Sequence, residues 1–129
     1  MIHKVGVGFN RDKWNDLEKE VRGLVKKNDN VWVVTGPLYL PKKEPDGRMY
    51  VKYEVIGEQH VAVPTHFFKV VVTEKAAQYG LFSYVLPNAA CDKGVPLSSY
   101  LVPLDSIERA AGFLLFDRLP RNQFRSINR

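Results

Sequence analysis

The 129-residue chain has a single cysteine, Cys91, and no long apolar run. One cysteine excludes an internal disulfide and any zinc site that is built from several cysteines. No stretch reaches the roughly 18 consecutive apolar residues that a membrane-spanning helix needs. Internal repeats and low-complexity segments are missing as well. Hydrophobic residues make up 45% of the chain, which is enough for a packed core, so we predict one domain or a large part of one.

Motifs of several common enzyme classes are also absent. The chain has no glycine-rich phosphate-binding loop, no His-x-x-x-His pair and no Gly-x-Ser-x-Gly nucleophile turn. Its three histidines, His3, His60 and His66, are far apart in sequence. His66 opens an apolar strand, where a buried or half-buried structural histidine is expected. His60 is expected on the surface, in a turn.

Positive charge exceeds negative charge, and the excess is uneven along the chain. Residues 117–129 contain Arg118, Arg121, Arg125 and Arg129 against Asp117, a surplus of +3 within the formal net charge of +5. This surplus favours a polyanionic partner, and a basic tail can follow phosphates. A solvated terminus explains the same residues equally well. We therefore treat residues 120–129 as a basic C-terminal tail whose role stays open.

The first predicted helix runs from Asp12 to about Lys27. Its apolar residues recur with the helical period, and Asn10 or Asp12 is suited to cap its first turn. Those apolar residues are Trp14, Leu17, Val21, Leu24 and Val25.

A series of strands and a second, short helix complete the prediction. Helices do not alternate with the strands, which indicates an α+β fold with a mixed, mainly antiparallel sheet. The second helix should run from about Leu104 to Ala111 and end at Gly112. The predicted strands are Val31–Thr35, Tyr50–Ile56, Val61–Val63, Phe67–Thr73 and Leu81–Leu86.

One line of polar side chains follows the edge of the first helix. Asn10, Trp14, Glu18 and Arg22 are spaced by four positions, and each step of four advances about 40° around a helix axis. Two interpretations are open on the residues alone. Glu18 and Arg22 suit an ordinary ion pair of about 0.3–0.5 kcal/mol, with Asn10 as a plain cap. The same line also suits a small polar site at the margin of the core.

Several segments together resemble a known family. Residues 9–18, with Asn10, Trp14 and Glu18 in order, resemble the metal-binding helix of the DNA/RNA non-specific endonucleases, a ββα-metal nuclease family. Further stretches are similar to its endonuclease G-type members, so residues 1–119 are predicted to be the C-terminal half of such a domain. Those stretches are residues 35–41, 51–57, 61–69, 84–88 and 102–112.

The resemblance implies an activity and a division of roles. Family members hydrolyse DNA and RNA with one Mg²⁺ or Mn²⁺, and they are typically mitochondrial homodimers. By position, Asn10 matches the direct metal ligand, Glu18 the carboxylate that holds metal-bound water, and Arg22 a basic residue beside the phosphate. Residues 1–6 resemble no targeting peptide, so either the protein stays where it is made or a targeting segment lies upstream.

One part of the family's machinery has no counterpart in this sequence. The family's general base is the histidine of an Asp-Arg-Gly-His motif, which the chain does not contain; Asp117-Arg118-Leu119 begins similarly but has no histidine after it. His3 is a poor substitute, because no predicted strand positions it. We therefore expect this chain alone to be inactive, or nearly so. The alternative is a non-catalytic form that binds nucleic acid, or that pairs with a full-length nuclease and inhibits it.

Overall fold

A computed structural model describes residues 13–120, 122 and 124–127. Helix α1 (Lys13–Lys27) has the predicted extent, with Asp16 in its first turn and Lys26 and Lys27 in its last, which suits the helix dipole. Two further helical elements are a 3₁₀ turn (Leu97–Tyr100) and α2 (Leu104–Ala111). Gly112 ends α2 with φ of 83°, a left-handed conformation that glycine adopts without steric cost. None of the described helices is long and apolar enough to cross a membrane.

Three long strands form the centre of the molecule. They are β1 (Asn30–Leu38), β6 (His66–Lys75) and β7 (Gln78–Pro87), and they pair antiparallel in the order β1-β6-β7. Strand β8 (Phe124–Ile127) pairs parallel with β7 at the far side. The α+β class and the mixed, mainly antiparallel sheet are thus confirmed.

The sheet is covered by helices on both faces, and alternation along β6 decides which residue faces which helix. Phe67 belongs to a buried cluster with Trp14 and Leu17 of α1. Its neighbour Phe68 belongs to a larger cluster on the other face, with Ile107 of α2. Because both faces are covered, seven consecutive residues of β6, 67 to 73, are buried.

Short strands lie between β1 and β6. They form two separate two-stranded ribbons, β2 with β3 and β4 with β5. The predicted strand Tyr50–Ile56 is wrong in extent. Residues 51–54 belong to no strand, and all four are exposed. The ribbon strands are β2 (Lys42–Lys43), β3 (Met49–Tyr50), β4 (Val55–Ile56) and β5 (Val61–Ala62).

The C-terminal segment contains a strand that the sequence pattern did not indicate. Phe124 is buried, lies opposite Tyr79 of β7 and makes an edge-to-face ring contact with it at 6.2 Å between centroids. Residues 124–127 are therefore a structural part of the sheet as well as part of the basic segment.

Candidate active site

The polar line on α1 climbs from the core to solvent. Trp14 is buried, Glu18 one turn later is half-buried, and Arg22 one further turn along is exposed. No ion pair joins Glu18 to Arg22 in the described part of the chain, so the plain ion-pair interpretation of these two residues is wrong. Asn10, the predicted metal ligand, lies outside the described residues.

Trp14 fixes the start of this line to the sheet. Its ring lies 6.2 Å from the ring of Phe67, with the two planes inclined at 57°. The ammonium of Lys69 sits over the same indole, with Nζ 4.6 Å from the ring centroid. A cation in that position is attracted by the ring quadrupole. The first turn of α1 is therefore held by an aromatic contact and by a cation–π contact.

Lys69 is a charged residue in the middle of the sheet. It lies on β6 between Thr35 of β1 and Tyr84 of β7, and only 9% of its surface is exposed. Burial lowers the pKa of the Lys69 ammonium, and the negative charge of Glu18 opposes that shift. Sequence reasoning did not single Lys69 out. The available signal was a lysine inside the apolar run Phe67 to Val72.

A second lysine ties α1 to a neighbouring loop. Lys13 is buried, and its Nζ donates a hydrogen bond of 3.0 Å to the backbone carbonyl of Lys93. This contact spans 80 residues of sequence, so no local pattern could indicate it. Together with Trp14 it anchors the end of α1 that directly follows Asn10 in the sequence.

His66 lies on the opposite face of the sheet from Lys69 and takes no part in this constellation. The Thr65 hydroxyl accepts the Leu40 N–H at 2.8 Å and lies 3.2 Å from the Leu38 carbonyl, to which it donates. His66 Nδ1 lies 2.9 Å from the same hydroxyl, and the tautomer of the ring sets which of the two groups donates. Burial lowers the pKa of His66. It is half-buried, as expected of a structural histidine.

The other two histidines add nothing to the described site. His60 is exposed in a turn, with φ of 52°, and His3 lies outside the described residues. Within the part of the chain that the structure describes, no three His, Cys, Asp or Glu side chains are grouped so as to hold a metal ion. A hydrated Mg²⁺ does not require such a group, because it keeps several of its waters.

Similar proteins share both sequence and fold with this chain. It is 55% identical over 120 residues to the mitochondrial endonuclease G of Caenorhabditis elegans and 57% identical over 107 residues to that of Homo sapiens. It is 43% identical over 135 residues to the mitochondrial nuclease of Saccharomyces cerevisiae. These alignments cover 92%, 82% and 98% of this chain, but only 39%, 36% and 41% of the relatives.

A solved structure gives the same result in three dimensions. The chain superposes with a TM-score of 0.91 and 56% identity on a protein in the crystal structure of the EndoG/EndoGI complex, which concerns the mechanism of EndoG inhibition. The match covers 95% of this chain and 51% of that one. This chain therefore corresponds to about half of the solved molecule.

The family itself is established by a match along nearly the whole sequence. Residues 6–122 fit the family model described as DNA/RNA non-specific endonuclease. That range includes all of α1, the three long strands and α2. The chain belongs to the DNA/RNA non-specific endonuclease family, as the resemblance of its α1 helix predicted.

Proposed function

We propose that this chain supplies the metal-binding side of a Mg²⁺- or Mn²⁺-dependent endonuclease of DNA and RNA. Asn10 is the metal ligand, Glu18 holds metal-bound water, and Arg22 contacts the phosphate. The relatives named as mitochondrial nucleases support a mitochondrial site of action.

The exposure gradient along α1 is the observation that carries this proposal. Trp14 is anchored in the core while Glu18 and Arg22, at successive turns, emerge into solvent. A carboxylate at that boundary is rigid enough to orient water and open enough to meet a hydrated ion. The exposed guanidinium one turn away suits a phosphate, to which it can donate two parallel hydrogen bonds.

The residues fit the chemistry of a hard, hydrated cation. An amide oxygen from Asn10 and an outer carboxylate from Glu18 are oxygen donors, which Mg²⁺ prefers. When bound, the metal supplies positive charge that stabilises the phosphorane-like transition state and the leaving oxygen. The chain's own contribution is to supply the Asn10 amide and to hold the Glu18 carboxylate and the Arg22 guanidinium at successive turns of α1.

Water activation is the step for which this chain offers no residue. A general base must lie within hydrogen-bond reach of the attacking water, and the sequence contains no Asp-Arg-Gly-His segment. The proposal is therefore that the chain alone binds metal and nucleic acid and cleaves little or nothing.

Plasmid nicking and metal binding, measured on the same preparations, test this function. We expect Mn²⁺ binding that Asn10→Ala abolishes and Glu18→Gln weakens, while the matched Asp16→Asn change on the exposed side of α1 has no effect. Arg22→Ala should weaken nucleic-acid binding more than Lys19→Ala, which removes the same charge from the same helix. Nicking should stay at background. Metal-dependent nicking that persists in the His3→Ala variant and disappears in the Asn10→Ala variant would show that the chain does contain a general base.

A second candidate function is pairing with a longer family member. Among the described strands, β1 is hydrogen-bonded only to β6, so its other edge has no strand partner. Trp32 and Val33 on this strand are 44% and 41% exposed, one on each face of the sheet. A nine-residue edge strand flanked by apolar side chains is a template for strand addition.

Mixing with a full-length endonuclease G distinguishes the second candidate from the first. If pairing occurs, the two chains co-elute, and the activity of the longer protein falls as this chain is added. Val33→Lys should prevent both effects, and Val25→Lys, at an exposed position on α1, should prevent neither. Separate elution with unchanged activity would eliminate pairing as a function.

A further inference from the structure

Lys69 is a buried cation to which the proposed function gives no role. Its ammonium lies over the buried ring of Trp14, and the opposite position on β7 is the buried Tyr84. A lysine ammonium in such surroundings loses much of its hydration. It is therefore tolerated only where other groups compensate the charge.

Two groups on α1 provide that compensation. The indole face of Trp14 lies 4.6 Å from Lys69 Nζ, and the carboxylate of Glu18 acts on the ammonium through its charge. Trp14 and Glu18 are one helical turn apart, so they project from the same side of α1. A single ammonium on the sheet thus interacts with two successive members of the polar line.

We propose that Lys69 is a positioning residue of the metal edge: its ammonium holds the Trp14 ring and orients the Glu18 carboxylate toward the metal-bound water. The assignment of that edge to a metal rests on the proposed function. The cation–π contact between Lys69 and Trp14 does not rest on it. The role of Lys69 is to act through Glu18, without touching metal or substrate itself.

A purely structural lysine makes different predictions from a positioning one. If only the aliphatic stem mattered, methionine would replace lysine without consequence, because it has similar length and no charge. If the charge matters, arginine should substitute, since its guanidinium also stacks on aromatic faces. Lys75, at the exposed end of the same strand, provides the charge-matched control.

The first measurement is the emission of Trp14, recorded in a Trp32→Phe background so that Trp14 is the single tryptophan. Glu18→Gln should change this emission while Lys69 is present and should have no effect in the Lys69→Met protein. Such non-additivity isolates the interaction between the two side chains. An equal effect of Glu18→Gln in both backgrounds would overturn the proposal, because Lys69 would not link them.

The second measurement is the affinity for Mn²⁺. Loss of an outer partner of a metal site typically costs 10–100-fold in affinity, so we expect about a 10-fold loss in Lys69→Met. Lys69→Arg should retain most of the affinity and Lys75→Met all of it. An unchanged affinity in a folded Lys69→Met protein, or equal losses in the Met and Arg variants, would overturn the positioning role.

The two measurements separate failure of the inference from failure of the proposed function. If the unaltered chain binds no Mn²⁺, or binds it equally well after Asn10→Ala, the metal assignment fails. The emission experiment then still decides whether Lys69 positions Glu18. If metal binding depends on Asn10 but not on Lys69, the proposed function stands and the role of Lys69 is rejected.

Discussion

The two faces of the central sheet are built on different principles. On the α2 face the buried side chains are mainly apolar, and Ile107 and Phe68 belong to one large cluster. Buried polar groups on this face form hydrogen bonds. The Ser83 hydroxyl, for example, donates to the Val102 carbonyl at 2.6 Å. On the α1 face, the smaller cluster around Trp14 has the buried lysines 13 and 69 beside it.

This difference predicts that stability and the proposed site depend on different faces of the sheet. Apolar burial contributes most of the free energy of folding, so the α2 face should dominate stability. The α1 face places charge where apolar side chains would pack better, as binding sites commonly do. The predicted consequence is that substitutions on the α2 face destabilise the protein most, while those on the α1 face mainly change the site.

The largest effect is expected from Ile107→Ala. This side chain is 1% exposed in the α2-side cluster, and shortening it to alanine should lower the free energy of unfolding by about 2–5 kcal/mol. Leu114→Ala is the control, because Leu114 is 68% exposed and should change stability by about 0.5 kcal/mol or less. Urea denaturation of both variants measures the contrast. Similar losses would show that the α2 face is not the stabilising one.

Glu108→Ala should have the next largest effect. Glu108 is buried, and its Oε2 accepts the Leu115 N–H at 2.8 Å. Removing the acceptor leaves a buried donor without this partner, which costs about 1–3 kcal/mol.

Asp105→Ala provides the comparison for Glu108 on the same helix. Asp105 is exposed and forms an i, i+4 ion pair with Arg109 at 3.5 Å, a type worth about 0.3–0.5 kcal/mol. If thermal melts of the two variants coincide, the Glu108–Leu115 contact is not stabilising the end of α2.

Elements with strong local signals were predicted well from sequence. Helix α1 shows the helical period, and α2 ends at a glycine that can adopt positive φ. Strand β8 was missed because its pairing with β7 joins residues as distant as Tyr79 and Phe124. The strand predicted at Tyr50–Ile56 failed for a related reason: alternation is visible there, but the irregular residues 51–54 divide the segment between two ribbons.

In the candidate site, too, some features could be predicted from the sequence and others could not. Spacing by four placed Glu18 and Arg22 on one edge of α1, since helix geometry alone fixes that relation. The burial of Lys69 depends on which helix covers the sheet at that point. The Lys13 contact depends on a loop 80 residues away. Local periodicity carries no information on either, so these two lysines emerged only with the tertiary structure.

Lys69→Met is expected to change stability little, by about 1 kcal/mol or less near neutral pH, because replacing a buried charge with an apolar side chain of similar size is often neutral. The pH dependence is more informative. The pKa of Lys69 is lowered from its ordinary 10.5 by burial, so above the folded-state pKa the unfolded chain binds the extra proton. Stability from this group therefore rises with pH until about 10.5.

The difference between unaltered and Lys69→Met proteins isolates that rise. Burial raises the pKa of Tyr84, which lowers stability above about pH 10 in both proteins, so the comparison is made below pH 10. Denaturation curves at several alkaline pH values should show that the free energy of unfolding of the unaltered protein rises relative to that of the variant. A constant difference would mean that the charge of Lys69 is not buried in solution.

The smallest expected effect on stability concerns His66, which lies at the edge of the sheet face that α2 covers. Burial lowers its pKa from the ordinary 6.5, so below that pH the unfolded chain takes up a proton that the folded chain resists. Stability should therefore fall as the pH drops from about 7 through the folded-state pKa. His66→Asn keeps a polar group that can hydrogen-bond the Thr65 hydroxyl but does not titrate, so it should flatten this fall. His60→Asn is the matched control, since asparagine tolerates the φ of 52° at that exposed turn. The slope of the urea midpoint against pH is measured for both variants. If both retain the full slope, His66 is not the group that titrates, and its protonation does not weaken the α2 face of the sheet.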